Sequence, residues 1–420
     1  MSRLPLAVAL LLLVTPASVL AGAVGPAATA APPAAVTEHA AVDAPADPAV
    51  TSPNRTSVLA VGDDAARDFA SAGVTVTTTI GASRADLDTA YSTNAFENRW
   101  AAADSDAARL ALLRNATTDA ANRTAALTRT AENARTEFQN GQRSATSLVE
   151  HVALTTARAE SLSTYLTTVR SHAGDLDSAD ADALRTRIAQ LRGRLAAYDR
   201  GESNSLRQRL AAAVRGDEPP VRVYVGADAD GLVLATVDDG VYYHTTYRVD
   251  NYDDEIDGAG TLASLSDVLK ARYPEAWNHS LEVGGRQSFS APGNAYYEAA
   301  LSYGRSGAGS TLVVYFDPST DDVYREDWRV DVTDLATRPG VARTAGDTTL
   351  VVNRSYPGGP LRVAATNATG APVAAPVTVD GVSVGTTDAD SGELWTVAPD
   401  GDYTVTVTRD GETVSVDAAD

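Results

Sequence analysis

The sequence predicts a multidomain α+β chain: an antiparallel three-helix bundle of coiled-coil character, then an α+β sheet module, then a C-terminal all-β sandwich. Three observations carry that prediction. Apolar and small residues recur in alternating steps of three and four between residues 110 and 198. The period changes to two after Pro219 and Pro220. Beyond residue 345, short β-branched runs alternate with Gly, Asp and Pro turn residues, as a sandwich requires.

The N-terminal elements come first. Arg3 precedes an apolar run from Leu4 to Leu20 that contains Pro5 and Pro16, and small residues follow through Ala21, Gly22 and Ala23. This order predicts a signal peptide over residues 1–23, cleaved after Ala23. The run is marginal against the roughly 20 apolar residues of a membrane span, so an uncleaved N-terminal membrane tether is the alternative. Residues 24–53 are an Ala/Pro-rich segment too poor in large apolar side chains to build a core, and read as a disordered linker. The chain has no cysteine, so packing has to supply the stability that disulfides give many exported proteins.

Residues 54–216 read as the helical bundle with a small N-terminal β cap. Val58 to Val61 and Val74 to Ile80 are expected as two short strands, because they are apolar and β-branched. Ser83 and Asp104 are the expected N-caps, and Gly141, Gly174 and Gly201 the expected stops. The first seam runs through positions 110, 113, 117, 120, 124, 127, 131, 134 and 138. The second passes from Leu148 through Val152, Thr155, Ala159, Leu162 and Leu166 to Val169 and Ala173. The third joins Leu184, Ile188, Leu191, Leu195 and Tyr198. Ala and Thr occupy much of the first seam, which predicts that its helix is the loosest of the three.

Residues 221–336 form the expected α+β domain. Strands are predicted at Val221 to Val225, Leu232 to Val237, Val241 to Val249, Tyr296 to Tyr303, Thr311 to Phe316 and Val323 to Val330. One helix from Leu262 to Trp277 interrupts them, with Leu262, Leu265, Val268, Leu269 and Tyr273 as its apolar face. The stretch Tyr296-Tyr-Glu-Ala-Ala-Leu-Ser302 and Leu312 to Val323, with its Asp317-Pro-Ser-Thr320 turn, resembles the closing hairpin of peptidase-propeptide-like (PepSY-type) domains. That resemblance implies a regulator, a protease inhibitor or chaperone.

A hinge is expected near residues 338–344, followed by a β-sandwich over residues 345–420. The frame Val377-Thr-Val-Asp-Gly381, Gly385-Thr-Thr-Asp388, Gly392 and Pro399-Asp-Gly-Asp-Tyr403 resembles carboxypeptidase-regulatory and related immunoglobulin-like modules. Those modules act as spacers and binding domains without catalytic residues.

Charge supplies a second line of inference. The chain carries 34 basic residues, of which only Lys270 is lysine, against 55 acids, for a net charge of −21. Residues 54–216 hold 19 acids and 20 arginines, whereas residues 221–336 hold 20 acids and 8 bases. No segment has the basic excess that phosphate binding needs, which argues against a nucleic-acid partner. An acidic, nearly lysine-free composition resembles that of exported proteins of halophilic archaea, where molar salt reduces the Debye length to roughly 3 Å and screens self-repulsion. Asn54-Arg-Thr-Ser-Val-Leu, Phe96-Glu-Asn-Arg and Val221-Arg-Val-Tyr-Val further resemble an exported haloarchaeal family of unknown function.

Six N-x-S/T sequons, at Asn54, Asn115, Asn122, Asn278, Asn353 and Asn367, are the candidate modification sites for N-linked glycan. Asn115 and Asn122 stand one heptad apart, off the seam. Acidic runs at Asp228 with Asp230, Asp238 with Asp239, and Asp253 to Asp257 suggest calcium, but the last lacks the bidentate Glu of an EF-hand, since Ser264 stands there. No metal or cofactor is expected. The histidines are dispersed at His39, His151, His172, His244 and His279, and no nucleophile elbow, phosphate loop or zinc-protease motif occurs. Among them His244, with Asp238 and Asp239, is the acid/base candidate to weigh against simple packing among tyrosines. The expected function is that of a non-enzymatic secreted or cell-surface protein of a halophilic archaeon, structural, adhesive or binding a protein or envelope partner; the alternative is a PepSY-like protease inhibitor or chaperone acting through residues 221–336.

Overall fold

A computed structural model describes residues 59–199, 205–253, 262–282, 287–290, 296–303, 310–332, 335, 337–338, 340–356 and 358–418. The expected signal peptide, the Ala/Pro linker, Asn54, His39, Gly201 and the acids from Asp254 to Asp257 lie outside the described residues.

Five helices follow a first strand at Ala66–Ala72 and precede the other sheet strands: α1 (Val76–Ala102), α2 (Asp106–Gln139), α3 (Ala145–Gly174), α4 (Ala179–Ala196) and α5 (Leu206–Arg215). Each starts at a hydroxyl: Thr75, Ser105, Ser144, Ser178 and Ser205 accept a backbone N–H from three residues on. The three predicted seams are the buried ones; Leu113, Ala120, Leu148, Leu166, Ile188 and Leu195 are essentially inaccessible. At about 1.5 Å per residue, the 34-residue α2 is about 50 Å long.

The beginning of the bundle differs from the expectation in three ways. No strand forms among Leu59 to Val61, and Val76 to Ile80 open α1 instead of pairing as a strand. Thr75 and Thr78 form a reciprocal capping box, and Thr78 Oγ1 also reaches the Val214 carbonyl of α5 at 3.4 Å, so tertiary contact overrides β-branched propensity. The caps are accordingly Thr75 and Ser105, and Ser83 is an exposed residue inside α1. The body thus has four long helices, with α3 central and packed on α1, α2 and α4. The loosest helix is α1, with 4 of its 27 residues buried, not α2, where Ala and Thr permit close packing and 10 are buried.

One antiparallel sheet of eight strands joins the two predicted modules. It comprises β1 (Ala66–Ala72), β2 (Val221–Ala227), β3 (Gly231–Asp238), β4 (Val241–Arg248), β5 (Gln287–Ser290), β6 (Tyr297–Tyr303), β7 (Ser310–Asp317) and β8 (Asp322–Asp331). Their order is β1-β2-β3-β4-β8-β7-β6-β5. Strand β1, from the N-terminal region, pairs along β2 from Ala66 opposite Ala227 to Ala72 opposite Val221. Val223, Val225, Tyr243, Tyr247 and Tyr315 face the helices, while Tyr224, Tyr242, Val314 and Phe316 enter the core on the other side. There they meet α6 (Leu262–Arg272) and α7 (Pro274–Glu282). The single helix expected here breaks at Tyr273, because Pro274 offers no N–H and disfavours helical geometry in the residue before it.

The C-terminal module has two four-stranded sheets. One contains β9 (Val341–Ala345), β10 (Thr348–Arg354), β11 (Pro360–Asn367) and β14 (Glu393–Val397); the other contains β12 (Pro376–Val379), β13 (Val382–Thr386), β15 (Tyr403–Arg409) and β16 (Glu412–Ala418). Strands β9 and β13 were not legible as apolar runs. The first occupies the expected hinge as a half-exposed edge, and the second returns from a tight Asp380-Gly381 turn in which both residues have positive φ. This module docks on the large sheet: Tyr242 donates its hydroxyl to the Gly358 carbonyl at 2.8 Å, and Arg67 pairs with Asp400 at 3.1 Å.

Candidate binding groove

Helices α1 and α2 diverge over α3 and leave a groove of about 490 Å³. Exposed Arg84, Asp88, Arg123 and Arg158 line it together with buried Leu127 and Leu162, giving a charged rim over an apolar floor. Arg84 lies 3.7 Å from Asp88, one helical turn on, and Arg123 lies 2.9 Å from Asp119. Arg158 has no ion-pair partner among the described residues. The outer face of α1 extends the apolar surface: Ile80, Leu87 and Tyr91 are 62%, 70% and 78% exposed. Large apolar side chains exposed together at helical spacing mark an interaction surface more often than isolated ones do.

A second arginine set lies between the bundle and the sheet. Arg325 is wholly buried, stacks 4.7 Å from the Tyr315 ring, and pairs with Asp327 at 2.7 Å and Asp199 at 3.1 Å. It also donates to the Ala196 carbonyl at the end of α4, which ties that helix to β8. Burial alone would lower its pKa, but Asp327, Tyr315 and Asp199 hold it above the ordinary value. Arg207 donates to the Tyr198 carbonyl, and Arg135 to that of Ala229. Burial, then the neighbouring Arg325 charge, brings Arg207 down to about 10.

The described histidines His151, His172 and His244 do not converge. His244 is buried, stacks on Tyr242, and places Nε2 3.1 Å from Thr246 Oγ1; burial pushes it down to about 4. Neither Asp238 nor Asp239 meets it, since Asp238 pairs with Arg209. His172 Nε2 lies 3.0 Å from Glu97 beside Trp100, and His151 sits on α3. Turn chemistry accounts for the first acidic run, and Asp388 serves its own turn in the same way. Asp228 accepts backbone N–H groups from Gly62, Asp230 and Gly231, and Asp388 those from Asp390 and Ser391. No group of three metal-ligating side chains occurs among the described residues.

Of the sequons, Asn115 and Asn122 are exposed on α2 and Asn278 on α7. Asn367 uses its side-chain carbonyl to accept from Thr369 and Ala371, whereas half-buried Asn353 donates its amide to the Arg338 carbonyl at 3.4 Å. The groove arginines were not singled out by sequence because they occur on three helices whose mutual rotation the pattern leaves open. Their only signal was the arginine enrichment of the bundle. The buried arginines carried none, since a strand Arg in Val-Tyr-Arg-Glu-Asp reads as solvent-facing.

Three family models match the chain. A domain of unknown function (DUF7096) matches residues 1–219, a family of unknown function (DUF7094) residues 223–336, and an archaeal fibronectin-III type-like domain residues 340–416. The last agrees with the immunoglobulin-like frame read at the C-terminus. The second lends no support to a peptidase-propeptide-like reading. Together the matches are compatible with a structural or binding protein. No curated protein matches the chain, and no solved structure does.

Proposed function

Because this chain belongs, through residues 1–219, to the family described as a domain of unknown function (DUF7096), we propose its role from its own geometry. It is a non-enzymatic secreted or cell-surface binding protein of a halophilic archaeon. Its helical groove receives an acidic, partly apolar polypeptide segment. The single observation behind this reading is the conjunction at α1: a groove with Arg84, Arg123 and Arg158 at its rim, Leu127 and Leu162 beneath, and exposed Ile80, Leu87 and Tyr91 alongside.

The chemistry follows from those parts. Guanidinium groups grip carboxylates in bidentate, short-range contacts that need no long-range field. In molar salt, where long-range attraction is screened, such contacts and apolar burial are what remains. The composition supports the halophilic assignment, and the dispersed histidines support the non-enzymatic one. Exposed Asn115, Asn122 and Asn278 are the glycan acceptors most open to modification.

The test uses the full chain and a fluorescent 12-residue peptide of alternating Glu and Leu, with a Lys/Leu peptide as control, in 1 M sodium chloride. Saturable binding of the acidic peptide alone is expected. Equal binding of both peptides, or of neither, overturns the reading. Masses of tryptic peptides from native protein test the glycans, and the mature N-terminus tests cleavage after Ala23.

A further inference from the structure

Among the described residues, the arginines between bundle and sheet outnumber the carboxylates they contact. Arg325 engages both nearby carboxylates, Asp327 and Asp199. Arg135 and Arg207, which are 2% and 1% exposed, have no carboxylate contact among the described residues and bond only to the carbonyls of Ala229 and Tyr198. The Arg135 guanidinium instead lies 5.7 Å over the Tyr247 ring. Among the described residues, three guanidinium groups thus share contacts with two carboxylates. A buried charge without a counter-charge is among the costliest features a fold can hold.

Both unpaired arginines line one small cavity, of about 20 Å³, with Tyr198, Tyr247, Thr155 and His151. The Nε atoms of Arg135 and Arg207 and the Nε2 of His151 have no hydrogen-bond partner. About 10–15 Å³ of such space is enough for one water molecule, so the cavity fits one water or one monatomic ion and no larger oxyanion. Tyr247 donates its hydroxyl to that of Tyr198 at 3.1 Å, which leaves the Tyr198 proton free to point at an acceptor. Among the described residues that line the cavity, the charged ones, Arg135 and Arg207, are both positive, and their unpaired guanidinium atoms are donors.

We propose that this cavity is a monovalent anion site and that it holds a chloride ion between Arg135 and Arg207. A water molecule accepts the same hydrogen bonds but leaves the excess charge in place, whereas a halide removes one unit of it. The ion sits where α2, α3 and α5 meet β3 and β4, so it joins the bundle to the sheet. It binds the folded chain and not the unfolded one, and chloride concentration therefore becomes a term in stability.

Two measurements test the site. In crystals grown in bromide, an anomalous peak is expected within hydrogen-bonding distance of the Nε atoms of Arg135 and Arg207; solvent density there without anomalous signal overturns the proposal. In solution, unfolding of the full chain is compared in sodium chloride and sodium gluconate at equal ionic strength. Above the dissociation constant, each tenfold rise in chloride should lower the unfolding constant tenfold beyond the gluconate effect. Arg207→Met, which removes the charge and keeps the bulk, should abolish that chloride-specific slope. An identical slope in both salts for the natural chain overturns the proposal. The bromide arm needs no variant, so the site remains falsifiable if Arg207→Met does not fold.

Discussion

The two arginine sets show how one residue type takes opposite roles in one molecule. Arg84, Arg123 and Arg158 stand exposed at the groove, with at most one carboxylate each, and are free to exchange partners. Arg135, Arg207 and Arg325 are buried between helices and sheet, where each guanidinium reaches a backbone carbonyl. Solvent makes the difference. An exposed ion pair contributes about 0–1 kcal/mol, whereas breaking a buried one costs about 3–5 kcal/mol. The groove set is therefore disposed to binding and the interior set to holding the bundle on the sheet.

Definite substitutions separate the two arginine sets. Arg325→Met strands Asp327 inside the protein and is expected to cost about 3–5 kcal/mol in denaturant unfolding. Arg207→Met removes a charge with no carboxylate contact, so in chloride-free buffer it should cost less than half as much; equal losses would show that pairing does not distinguish the two. At the groove, Arg123→Ala with Arg158→Ala should weaken the Glu/Leu peptide about tenfold, or about 1.4 kcal/mol. The same pair should shift folding stability by no more than about 0.5 kcal/mol, as surface changes do.

Acid provides a further contrast. His151 and His244 both titrate near 4 in the folded chain instead of 6.5; burial is the cause at each, joined at His151 by Arg143 and Arg158. Between those values the unfolded chain binds more protons, so stability is complete above pH 6.5 and declines as pH falls toward 4. His244→Gln should flatten that decline, seen as a smaller loss of melting temperature between pH 7 and pH 4.5. No histidine is among the described residues that line the groove, so peptide binding there should hold constant from pH 7 to pH 6.

Much of the architecture was legible because burial imposes a period. The α2, α3 and α4 seams and most strands follow from steps of three, four and two. What escaped depends on partners distant in sequence. Val76 to Ile80 have strand-like side chains, yet a capping box and the Val214 carbonyl make them helical. Ala66 to Ala72 has little apolar pattern, yet it pairs with β2 and binds the two halves into one sheet. The groove was illegible for a related reason: Arg84, Arg123 and Arg158 are ordinary solvent-facing residues until α1 and α2 diverge.

The most direct test of the division between the two sets is a peptide titration by fluorescence anisotropy in 1 M sodium chloride, comparing the natural chain with the Arg123→Ala, Arg158→Ala pair. Saturable binding of the Glu/Leu peptide is expected, weakening about tenfold in the variant while its unfolding curve stays superimposable. Undiminished binding by the variant, or no binding by the natural chain, would contradict that division.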